Sequence, residues 1–168
     1  ALFAKRKGVN FNRTIMIGRQ NHYLDASTLC DMFKRFSLPM TDKEAHLALR
    51  DAYAEGLFRH LGATTVDSID ASDYEGASII HDLNAPVPID LHLKYNCVVD
   101  FGSLEHIFNL PGALKNETDL LEEGGHLLII TPANNFMGHG FYQFSPELFF
   151  NYLSKNGFPD IEIYMIHY

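Results

Sequence analysis

Tryptophan is absent from the 168 residues, cysteine occurs only twice, and basic residues are outnumbered, 13 Lys and Arg against 21 Asp and Glu. Each scarcity excludes something. A formal charge of −8 argues against a nucleic-acid partner, because phosphate backbones are held chiefly by Lys and Arg with release of counterions. The one basic cluster, Lys5-Arg6-Lys7, reads as a solvated terminus. Cys30 and Cys97 form no CxxC pair and no secreted-type framework, so reduced thiols and a cytoplasmic location are expected. No apolar run approaches the roughly 18 residues that a membrane span needs, and no signal peptide precedes the first predicted strand, so no membrane partner is expected. An initiator Met is also lacking and the chain stops at Tyr168; a fragment, truncated at its C-terminus, is expected.

What is present suits one globular domain spanning residues 1–168, since 46% of residues are hydrophobic and 13 Phe with 8 Tyr supply bulky core material. Short apolar, β-branched runs predict strands over residues 13–18 (RTIMIG), 64–70 (TTVDSID), 77–82 (ASIIHD), 95–101 (YNCVVDF) and 126–131 (HLLIIT), with an alternating strand over 161–167. Between them, Leu29, Met32, Phe33 and Phe36 trace a helical face over 27–36. Thr41 and Glu44 have capping-box spacing and open a predicted helix over 43–61 that stops at Gly62. Helical patterns follow over 104–108 and 111–121, and Ser145-Pro146 starts another helix that runs to Lys155.

Alternating strands and helices of this length predict an α/β fold: an open, doubly wound, mostly parallel sheet with helices on both faces. Ligands in such sheets lie outside the carboxyl ends of the strands, near the switch in strand order. The site is therefore expected where the segments 15–18, 66–70 and 97–102 end, at Gly18, Asp70, Asp82, Asp100 and Gly102. A strand-end carboxylate such as Asp70 matches two vicinal ribose hydroxyls with its two oxygens. Alternatively it caps the Ala71-Ser72 turn.

Four segments in order resemble the class I methyltransferases that use S-adenosylmethionine, in their sugar- and small-molecule-directed type. They are VDSIDASDYEGASIIHDLNAPVP, YNCVVDFGSLEHIFN, LLEEGGHLLIITPANN and GHGFYQFSPELFFNYLSKNGF, which together cover about residues 64–158. The resemblance implies a Rossmann-like methyltransferase fold and S-adenosylmethionine as cofactor. It implies that Asp70, with Ser72 beside it, holds the ribose, that Asp82 and Leu83 flank the adenine, and that Phe101 and Gly102 line the cleft. Asp82 could accept from an exocyclic amine, or cap the turn at Asn84. The chain departs from the family at the first loop, where the Gly-x-Gly-x-Gly turn is replaced by Gly18-Arg19-Gln20-Asn21. Arg19 is expected either to reach the methionine carboxylate or to fill the cleft.

Methyl transfer needs nucleophile and sulfonium in line and, for some acceptors, removal of a proton. The catalytic candidates are His106, which follows Glu105, and His139 near Tyr142. Each His has a plainer reading, His106 as a hydrogen-bonded helix residue and His139 as part of a glycine-flanked turn. The nine histidines form no HExxH or equivalent spacing, so no metal is expected. Ser103 and Ser145 lack a nucleophile-elbow sequence. The expected function is methyl transfer to a small-molecule substrate; the rival is a non-catalytic binding or assembly module of the same fold. A nicotinamide-dependent oxidoreductase would need a glycine-rich pyrophosphate turn that is not there.

Overall fold

The computed structural model describes residues 1–166. Five strands form one parallel sheet: β1 (Arg13–Ile17), β2 (Thr65–Asp70), β3 (Ile79–Ile80), β4 (Tyr95–Asp100) and β5 (Leu121–Ile129), in the order β3-β2-β1-β4-β5. The order reverses between β1 and β4, so the switch point lies at the sheet's centre.

Side chains alternate across the central strands, as the period of two requires. Met16, Cys97 and Val99 face one layer, where they pack with Leu29, Phe33, Ala45, Ala48 and Phe58. These come from α2 (Ala26–Arg35), α3 (Asp42–Ala48) and α4 (Glu55–His60), while α1 (Leu2–Arg6) adds Leu2 and Ala4. Ile15, Ile17, Ile69 and Val98 face the other layer with Leu83, Val87, Leu91 and Leu120. Here α5 (Leu110–Leu120) covers the sheet, and α6 (Pro146–Lys155) joins it through a third cluster that includes Leu104, Ala113, Leu114 and Phe144. The doubly wound expectation holds.

Four element expectations need correction. The single helix predicted over 43–61 is two, because the backbone of residues 52–54 pairs with the loop after β1: Ala54 N donates to Gln20 O at 2.9 Å and His22 N to Ala52 O at 3.0 Å. The strand predicted over 77–82 shrinks to the two residues of β3, which end the sheet at Ile69 and Asp70 of β2. β5 starts before its predicted bounds, since Glu122–Gly125 bulges out between the pairs Tyr95 with Leu121 and Cys97 with His126. Glu122 is held in that bulge by the Arg13 guanidinium and the Asn96 amide.

The alternating segment 161–167 makes no strand in its described part. Among the described residues it pairs with no strand; Tyr164 lies edge-on to Phe3 of α1 at 5.2 Å, and Glu162 pairs with Lys7 just after that helix. His167 lies outside the described residues. Among the described residues, no helix is long and apolar enough to cross a membrane.

Candidate active site

Parallel pairing brings three strand ends to one level. Ile17 stands opposite Ile69 of β2 and Asp100 of β4, so the residues that follow, Gly18, Asp70 and Phe101, share a rim at the switch point. Gly18 N donates to Ile69 O at 2.8 Å. Its φ is +68°, and a Cβ here would lie 2.8 Å from Ser103 Oγ and 4.0 Å from Asp70 Oδ2. Only glycine fits both the turn and the crowding. Ser103 Oγ in turn donates to Ile17 O at 2.7 Å, which ties the loop after β4 to the end of β1.

Asp70 divides its two oxygens between the two roles considered from the sequence. Oδ1 accepts from Ser72 N at 3.1 Å and caps the turn, while Oδ2 faces Gly18 with no protein donor among the described residues. A free carboxylate oxygen at the rim beside a glycine fits the ribose of a bound nucleoside. Ser72 is exposed, and its own hydroxyl accepts from Tyr74 N.

Asp82 follows β3 on the same edge, where His81 N donates to Asp70 O at 2.8 Å. Its Oδ1 accepts from the Asn84 backbone N at 2.9 Å and from the Asn84 amide at 2.7 Å. Those bonds, the backbone one foremost, hold its carboxyl below the usual range. Leu83 does not present its side chain to a ligand: it is buried in the core with Val87 and Leu91.

Arg19 is not free to take a carboxylate. Its Nε donates to Glu55 Oε1 at 2.7 Å, its Nη1 to Glu75 O at 2.7 Å, and its guanidinium stacks on Tyr53 at 3.8 Å from the ring centre. It closes one side of the rim, bridging α4 and the loop after β2. Glu55 and Tyr53 were invisible as partners in the sequence, because Tyr53 lies in the break of the predicted helix and Glu55 starts α4 just after it.

Phe101 is half-buried against the α2–α4 layer, and Gly102 turns the chain with φ +112°. Asp100 points inward rather than to the rim. Its carboxylate accepts from Gly102 N, Ser103 N and Leu104 N at 3.0, 2.7 and 3.0 Å. Glu117 of α5 is fully buried, and its carboxylate oxygens have no hydrogen-bond partner among the described residues. Two acceptors cannot bond unless one is protonated, and burial, with Asp100 beside it, raises Glu117 well above the ordinary carboxyl range. Burial also raises Asp100.

The loop after β5 brings His139 back to the turn after β4. Its Nε2 is 3.5 Å from Glu105 Oε1, and its ring centre is 4.9 Å from that of His106. The exposed rings of both histidines therefore meet at one point beside the rim. Tyr142 does not join them as a free acid: its hydroxyl donates to Phe108 O at 2.7 Å, bracing the loop. Glu105, quoted from the sequence only as the neighbour of His106, is buried, and its Oε2 accepts from Thr131 Oγ1 at 3.0 Å. Neither cysteine can act as a nucleophile at this rim, since burial pushes the Cys97 thiol up to about 12 and Cys30 lies on α2.

Comparisons with known proteins bear on the family and the fold. A family model described as a methyltransferase domain matches residues 36–160. The crystal structure of a methyltransferase candidate from Bacillus halodurans C-125 superposes with a TM-score of 0.53 at 11% identity over 94% of the chain, a likeness of fold. The chain spans 65% of the length of that protein. No curated protein matches in sequence.

Proposed function

Because the chain belongs to the methyltransferase domain family, we propose that it transfers a methyl group from S-adenosylmethionine to a small-molecule acceptor. The observation that supports this most is Asp70 Oδ2, which faces Gly18 at the switch point with no protein donor among the described residues. In this reading Asp70 accepts from the ribose hydroxyls and Asp82 from the adenine amine through the oxygen that Asn84 leaves free. Gly18 and Gly102 let the backbone approach the cofactor.

When bound, the cofactor supplies an electrophilic methyl on a sulfonium. The protein's part is to align the acceptor and take its proton. His106 and His139 are exposed and adjacent, and an imidazole with an unbound ring nitrogen can accept that proton. The loop over residues 134–145, held by Phe141 N to Glu105 O at 2.7 Å, would cover the acceptor.

Calorimetric titration of the full chain with S-adenosylmethionine tests the reading. One-to-one binding is expected. A folded protein that binds none would overturn it and leave the binding or assembly module, which the tethering of Arg19 to Glu55 and Tyr53 favours.

A further inference from the structure

We propose that Glu105, His106 and His139 bind one divalent first-row transition-metal ion. One donor atom from each lies within 4.8 Å of the others. Three donors held at about 2.0–2.2 Å from an ion are themselves roughly 3–3.5 Å apart. An inward motion of about 1 Å by two exposed imidazoles closes the site. Two imidazoles and one carboxylate match zinc and its neighbours in the row, whereas calcium and magnesium prefer all-oxygen shells.

The anchor of the site is preorganised. The Glu105 side chain is only 2% exposed, and Thr131 Oγ1 donates to its Oε2 at 3.0 Å, which leaves Oε1 turned toward His139. Among the described residues no Lys or Arg pairs with this carboxylate, and the one side chain at ion-pair distance is His139. A buried carboxylate is stabilised by a nearby cation. An ion pair with His139 alone would supply one, yet it would not explain why His106 is packed against the same ring.

Backbone contacts hold the loop in place independently of the side chains. Phe141 N and Tyr142 N both donate to Glu105 O, at 2.7 and 3.3 Å. Gly140 passes so close that a Cβ would lie 2.6 Å from that carbonyl. His139 is thus delivered to Glu105 by its neighbours, and the imidazoles remain available as ligands. Three protein ligands leave at least one coordination position for a solvent or acceptor oxygen. That position adjoins the cleft, since a Cβ on Gly102 would be 3.4 Å from Glu105 Oε1.

The inference does not depend on methyl transfer, and its test is run without cofactor. Full-length chain stripped with a chelator is titrated calorimetrically with zinc chloride and with manganese chloride. Binding of one ion per chain is expected, weakened by more than about tenfold in His106→Ala and in His139→Ala. His46→Ala, on α3 and paired with Asp42, should leave it unchanged. Glu105→Gln should also weaken binding; if that buried change unfolds the chain, the two exposed histidine variants still decide the matter. Absence of binding, or binding that survives both histidine substitutions, would overturn the proposal. Asp70→Ala should leave metal affinity unaltered, so a failed metal site and a failed cofactor site give different results.

Discussion

At the scale of single residues, the rim is built from groups with divided duties. Asp70 caps its own turn with one oxygen and keeps the other toward Gly18. Replacing it by Ala should therefore weaken S-adenosylmethionine binding by about ten- to hundredfold, the worth of charge-assisted hydrogen bonds of roughly 1.5–3 kcal/mol. The lost cap should cost the fold no more than about 1 kcal/mol. Calorimetry alongside circular dichroism separates the two effects, and unchanged affinity would refute the ribose assignment. Arg19 shows why residue roles are harder to read than residue positions. A guanidinium at the first loop suits a carboxylate ligand, but Glu55, the Glu75 carbonyl and the Tyr53 ring already occupy it.

At the scale of elements, the junction of α3 and α4 carries the largest departure from local expectation. The capping box at Thr41 and Glu44 formed as its spacing predicted. The periodic apolar residues beyond it did not continue one helix, because pairing with residues 20–22 drew the chain out at 52–54. Gly56 makes the reversal possible: a Cβ there would stand 2.2 Å from the Ala48 carbonyl oxygen. Gly56→Ala should destabilise the protein by about 1–3 kcal/mol, the usual cost of forcing atoms into a packed interface, although Ala is ordinarily the better helix former. Urea denaturation measures it. An unchanged midpoint would mean that α3 and α4 do not pack as described. Strand assignments fared better, since β1, β2 and β4 follow runs whose period and composition are properties of the segment itself. β3 and the bulge in β5 were not legible, because their extent depends on what a neighbouring strand offers for pairing.

At the scale of the whole molecule, the buried carboxyl groups of Asp100 on β4 and Glu117 on α5 link the sheet to its covering helix and to global stability. Burial raises both groups, and Glu105 adds repulsion at Asp100. The folded chain thus holds a proton that the unfolded chain releases above the ordinary carboxyl range near pH 4. Stability from this pair is complete below that range and is lost as pH rises through the raised native value. The slope approaches about 1.4 kcal/mol per pH unit. Glu117→Gln keeps a donor for Asp100 without an ionisable proton, so its melting temperature should gain on the parent's as pH increases from 5 to 9. Parallel pH profiles for the two proteins would show that folding does not raise Glu117.

From its sequence alone this protein's α/β class, the carboxyl ends of β1, β2 and β4 and the candidacy of Gly18, Asp70 and Asp82 were determined, because alternation, chain breaks and strand-end residues are local properties. Tertiary structure alone decided that Arg19 is tethered, that Leu83 is core and that Glu105, His106 and His139 converge. Those outcomes arise from contacts between segments distant along the chain. No spacing within either segment encodes the partner that the other will bring.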